Sequence, residues 1–171
     1  MIKSEKKLKE LAEILRRGNS LFITEAIKSL REEEPFEGAI GLLVAFYNDT
    51  SDRSGLRIVE DFLNDLKDKS VRAEVIAEIR KPWNSNTINM LVSSCWQSGL
   101  DYSDYMADMA KIFLEGDYAT AVECMTVIEE SVKHSSRKRK DEIISIVEES
   151  PLSVMNDKIT LTRELISILE Q

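Results

Sequence analysis

Residues 36–66, FEGAIGLLVAFYNDTSDRSGLRIVEDFLNDL, read as two helices and the turn between them. Over residues 36–48 the apolar positions Ile40, Leu43, Val44 and Tyr47 recur every three or four residues, with Leu42 and Phe46 on the flank. That helix is apolar almost all round and should be the most enclosed in the molecule. Asp49-Thr50-Ser51-Asp52 interrupts the pattern with residues that favour turns and helix N-caps. Val59, Phe62, Leu63 and Leu66 then restore it on one face. A single hairpin of this kind leaves an apolar face open, and stacking further hairpins is the way to cover it.

The rest of the chain supplies them. Upstream, Leu8, Leu11, Ala12 and Leu15 make a stripe over residues 3–17 that Gly18-Asn19 ends, and Ile23, Ala26, Ile27 and Leu30 make another that stops at Glu34-Pro35. Downstream, a fifth helix over residues 70–81 shows Val75, Ile76 and Ile79 and stops before Pro82, which disfavours helical backbone at the residue preceding it. Further stripes are Ile88, Leu91, Val92 and Cys95, then Met106, Met109, Ala110 and Phe113, then Tyr118, Ala121, Val122 and Met125. Ile143, Ile144 and Val147, then Leu165, Ile166 and Leu169, complete ten helices.

Every second helix starts near residues 3, 36, 71, 103 and 137, at spacings of 33, 35, 32 and 34. That regularity, with short connections, predicts an all-α fold: a right-handed α-α superhelix of about five helical hairpins filling residues 1–171 as one domain. An irregular helical bundle is the competing architecture. The pairing phase stays open, since hairpins can begin at the first helix or the turn at Asp68 can join the fourth and fifth.

Two stretches resemble known repeats. Asp68-Lys69-Ser70-Val71-Arg72, followed by Ala73, Val75, Ile76 and Ile79, resembles the turn and second helix of HEAT-like, armadillo-type repeats. There a turn carboxylate satisfies free helix N–H groups, the valine enters the core, and the arginine can pair with an acid on the adjoining unit. Gly116-Asp117-Tyr118, with Ala121 and Val122, is similar to one tetratricopeptide unit, but that family's Trp-Leu-Gly anchor is absent and the remaining units do not repeat the pattern. The HEAT resemblance is the stronger, and it implies a non-enzymatic scaffold that binds another protein.

Little catalytic chemistry is on offer. The single histidine, His134, sits in a polar linker, so neither a histidine-dependent triad nor a multi-histidine metal site can be assembled, and no Gly-rich phosphate loop or paired-cysteine zinc spacing appears. No cofactor is expected. Cys95 and Cys124 lie on apolar stripes, where a thiol behaves as a small buried hydrophobe. The longest apolar run, residues 39–47, is too short for a membrane span, and the first 18 residues alternate Lys, Glu and Leu where an export signal would be apolar. A soluble, cytoplasmic protein is expected.

Charge is segregated. Residues 1–31 sum to +4, residues 32–66 and 98–132 to −7 each, and residues 133–140 to +5. Alkylpurine DNA glycosylases with HEAT-like folds show that this architecture can carry an enzyme, but they present a basic concave face. Two acidic blocks here would repel phosphate, which makes nucleic acid an improbable partner. Lys133, Arg137, Lys138, Arg139 and Lys140 would oppose the dipole of a helix capped by Ser135 or Ser136, so the ninth helix is expected to begin nearer Asp141.

The candidate contact residues follow from what departs from the repeat. Trp83, Tyr102 and Tyr105 are aromatic residues near helix junctions, accompanied by Asp101 and Asp104, with Tyr102 facing outward and Trp96 in the core. Arg137, Lys138, Arg139 and Lys140 are the candidates for an anionic surface. An enzyme would need a cleft lined by Trp83, Asp101 and Asp104. A homo-oligomer would form through the last helix, where Ile159, Leu161, Leu165, Ile166, Ile168 and Leu169 span a wide apolar arc.

Overall fold

The computed structural model describes residues 1–154 and 157–171, and among them the architecture is all-α. Ten helices follow in order: α1 (Glu5–Arg17), α2 (Ser20–Glu32), α3 (Ala39–Asp49), α4 (Arg53–Asn64), α5 (Arg72–Ile79), α6 (Ser85–Gln97), α7 (Met106–Glu115), α8 (Tyr118–Val132), α9 (Arg137–Glu148) and α10 (Ile159–Glu170). Short 3-10 turns cover Lys69–Val71, Ser103–Tyr105 and Pro151–Val154. Extended pairing among the described residues is confined to one bridge between Ile2 and Phe36. No helix among them is long and apolar enough to cross a membrane.

Local chemistry sets the boundaries. Asn19, Asp52, Asn84, Asp117 and Ser136 each place a side-chain oxygen on a free N–H of the following first turn. Three expectations are corrected by such effects. α3 begins at Ala39 rather than at Phe36, because Gly38 takes φ 90° and interrupts the helix; Phe36 stays buried in the turn before it. α5 is shorter than residues 70–81, being preceded by a 3-10 turn that Asp68 caps. α9 begins at Arg137, not near Asp141, because the Ser136 hydroxyl accepts the Arg139 N–H and completes a regular cap.

Packing settles the pairing phase. α1 pairs with α2, α3 with α4, α5 with α6, α7 with α8 and α9 with α10. Odd helices also pack on odd ones (α1 on α3, α3 on α5, α7 on α9), and even helices pack on even ones throughout, from α2 to α10. The turn at Asp68 therefore lies between hairpins rather than within one. Leu43, Leu63, Leu91, Met109, Phe113 and Leu165 are fully enclosed between these rows. In α3 only Asp49 is exposed, as its all-round apolar sequence demands.

Polar clasps tie each hairpin to the next. Arg31 reaches the Asp65 carboxylate and the Asp61 carbonyl, Glu74 accepts the Gly41 N–H at 3.1 Å, and Arg80 grips Asp108 through two nitrogens at 2.8 and 3.0 Å. The last bridges α5 to α7, the one step along the odd row that is not closely packed. At the far end Lys158 is buried and donates to the carbonyls of Phe113, Leu114 and Gly116, closing the C-terminus of α7 with a cation.

Candidate functional site

Because successive helices alternate direction, the four links between hairpins lie along one edge: residues 33–38, 65–71, 98–105 and 133–136. The sequence-expected contact region falls largely on the last two. Asp101 accepts the Ser103 N–H at 2.8 Å, and although burial pushes its carboxyl up, that bond holds it below the usual carboxylate range. The Tyr102 and Tyr105 rings stand 6.2 Å apart. Arg139 donates to Asp104 at 2.9 Å and to the Ser103 carbonyl at 3.1 Å, while Arg72 donates to the Asp101 carbonyl. Asp101, Tyr102, Asp104, Tyr105 and Arg139 are thus brought together, as an internal clasp.

Two aromatic placements are exchanged relative to expectation. Tyr102 does not face outward: it is 2% exposed, because Gly99 at φ 70° turns the chain back and lays the ring beside Cys95 under the end of α6. Burial there pushes the Cys95 thiol up to about 12, which keeps it an inert, protonated side chain. Trp96 is not core: Cys95 occupies the buried stripe, so its neighbour a hundred degrees around the helix is 40% exposed and donates Nε1 to Glu123 at 2.6 Å.

Trp83 is not part of the cluster. It packs at the opposite end of α6, whose 13 residues span roughly 20 Å, with Lys81 5.8 Å over its ring and its indole N–H buried without a partner among the described residues. A cleft shared by Trp83, Asp101 and Asp104 is not formed. In the basic break Arg137 pairs with Asp141 at 2.8 Å and donates to the Glu170 carbonyl at 3.0 Å, whereas Lys138 and Lys140 enter no ion pair among the described residues. The apolar arc of α10 is turned inward onto α8 and α9, and its exposed positions are Thr160, Arg163, Glu164, Ser167 and Glu170.

A more polar cleft lies elsewhere, between α4 and α6 below the end of α3, with a volume of about 450 Å³. Asn86, Asn89, Ser93 and Gln97 line it from α6, spaced three or four residues apart and so on one face. Opposite stand Glu60, Asn64 and Asn48. Asn48 accepts both the Asn84 N–H at 3.2 Å and the Thr87 hydroxyl at 3.1 Å, pinning α6 to the end of α3. Tyr47 donates to Glu60 at 2.6 Å; burial, then that carboxylate, hold its phenol well above the ordinary range, so it remains a donor. Asn64, Asn86 and Asn89 enter none of these bonds. The signal for this site was present in the sequence: residues 82–100 hold no Asp, Glu, Lys, Arg or His in a chain that is 32% charged.

No protein-family model, curated protein or solved structure matches the chain, so the functional reading rests on this geometry.

Proposed function

We propose that the chain is a non-enzymatic HEAT-like scaffold, a right-handed α-α superhelix of five hairpins, that holds another protein against its even-numbered helices. The observation that carries this reading is the amide-rich cleft between α4 and α6, in which Glu60, held by the Tyr47 hydroxyl, is the one charged lining residue. Interface centres are depleted of charge because a buried charge must be desolvated, whereas an amide exchanges water for a partner's donor and acceptor at little cost. Trp96, at the C-terminal end of α6, adds an exposed aromatic of the kind that anchors interfaces. Packing of helices on the second one along, at every step but α5 to α7, supports the superhelix.

Flanking charge favours protein over nucleic acid. Residues 32–66 and 98–132 carry −7 each, which steers basic or mixed surfaces toward the cleft and repels phosphate. Both arginines of the basic break are engaged with Asp104 and Asp141.

The test compares proteins captured by the intact chain with those captured by a variant carrying Asn89→Arg and Ser93→Arg. Both positions are partly exposed, so the variant should melt as the parent does while losing its partner. Recovery of the same proteins by both, or of none at mild salt, overturns the proposal.

A further inference from the structure

The first two inter-hairpin links enclose a second cavity, of about 380 Å³, toward the small end of the roughly 300–1,000 Å³ range of ligand sites. It differs from the α4–α6 cleft in kind. Its floor is carbon, contributed by Phe36, Ile40, Phe62 and Leu66. Its rim is carboxylate: Glu32, Glu33 and Glu34 at one side and Asp65 and Asp68 at the other.

Two cations, Arg31 and Lys67, share that rim, and both are spent on Asp65. Arg31 also lies 5.7 Å over the Phe62 ring. Glu33 takes Lys7 at 2.6 Å, but Glu32 and Glu34 enter no ion pair among the described residues. They are placed against the field as well. Glu32 is the last residue of α2 and Glu33 its C-cap, where the unpaired carbonyls of a helix end already make the potential negative. α4 ends at the same cavity with Asp65 as its C-cap. Two helix C-termini and five carboxylates therefore converge over an apolar floor, and internal cations do not balance them.

We propose that this cavity is a docking socket for a cationic protein segment. One bulky apolar side chain of the segment enters between Phe36 and Phe62, and its flanking lysines or arginines meet Glu32, Glu34 and Asp68. Both features are needed to select that occupant. A bare cation would gain nothing from the carbon floor, and a neutral apolar segment would desolvate the carboxylates without compensating them. From the scaffold reading the socket takes the class of its partner; its geometry is independent of the α4–α6 cleft.

The test uses fluorescence anisotropy of a labelled hexapeptide, Arg-Lys-Phe-Leu-Lys-Arg, against the intact chain at low salt. Saturable binding is expected, weakened at least about tenfold by Glu32→Lys with Glu34→Lys and little changed by the charge-matched control Glu115→Lys with Glu129→Lys. Replacing the peptide's Phe-Leu by Ser-Ser should weaken it comparably. The variant Asn89→Arg with Ser93→Arg should bind the hexapeptide as the parent does, so loss of partner capture through the cleft and loss of the socket are separately visible. Equal loss in the two charge variants, undiminished binding of the Ser-Ser peptide, or no saturable binding at all overturns the socket.

Discussion

At the junction between the third and fourth links, an aromatic pair and two aspartates are closed over by arginine: Arg139 takes Asp104 and the Ser103 carbonyl, and Arg72 takes the Asp101 carbonyl from the other side. At the junction between the first and second links, Phe36 and Phe62 stand among five carboxylates and the cavity stays open. The acidic blocks that contain the first and third links sum to the same −7. What separates the junctions is where the arginines reach. Arg72 at the start of α5 and Arg139 in the first turn of α9 both turn to the third link, whereas the first and second links receive only Arg31, which is spent on Asp65. An acid met by an arginine from the adjoining hairpin becomes a clasp, and an acid left without one remains surface for a partner.

The largest effect should come from opening the closed junction. Tyr102→Ala removes a ring that is 2% exposed, a change of about 3–5 kcal/mol for a large buried side chain, and should lower the melting temperature by about 10 °C. A drop of only a degree or two in a calorimetric scan would show that the aromatic pair decorates the junction without supporting it.

Next in size is a contrast between helix ends. Lys158 binds three carbonyls at the C-terminus of α7, whereas Arg31, the basic residue in the last turn of α2, is directed away to Asp65 and the Asp61 carbonyl. Lys158→Met keeps the apolar stem but leaves those carbonyls unsatisfied, and should destabilise by about 2–3 kcal/mol. Hydrogen exchange should then quicken at the α7–α8 turn and in α10 while α1 to α4 keep their protection.

Glu74→Gln should act in the opposite direction. Burial pushes the Glu74 carboxyl up, the nearby Glu78 adds to this, and the Gly41 N–H it accepts pulls the other way. A folded-state value above the unfolded one means that the parent is fully stable only in acid, losing stability as pH rises from the ordinary carboxylate range to the raised value. The glutamine keeps the acceptor that α3 needs, since Gly38 supplies no side-chain cap. The variant should therefore melt about 2–3 °C higher at neutral pH, and the gain should fade on acidification. A gain that persisted below the ordinary carboxylate range would have another cause.

How much of this was legible follows from which forces are local. The ten helices and the enclosure of α3 could be read because apolar periodicity reports burial directly. The start of α9 is not legible locally because a serine cap, typically about 1 kcal/mol, competes with dipole repulsion of similar size. The sequence near Ser136 does not reveal that Asp104, 35 residues away, relieves that repulsion at Arg139. Tyr102 and Trp96 were exchanged because one position along a helix or through a turn reverses inside and outside. The neutral run over residues 82–100 was readable, yet a total charge conceals it as readily as it conceals the difference between the two acidic junctions.

The smallest effect tests whether the open junction is a compromise. Glu32→Gln with Glu34→Gln removes two carboxylates that face a helix C-terminus without ion-pair partners among the described residues, so the melting temperature should rise by about 1–2 °C at low ionic strength. Surface electrostatics of this kind is screened over about 3 Å at 1 M salt, so the gain should disappear there. The same substitution should weaken the cationic hexapeptide, giving opposite signs for folding and binding. A stabilised chain that bound equally well would mean that the carboxylates serve neither. A chain that lost both would mean that Glu32 or Glu34 supports the fold through a contact other than an ion pair, and the contrast between the two junctions would no longer turn on arginine supply.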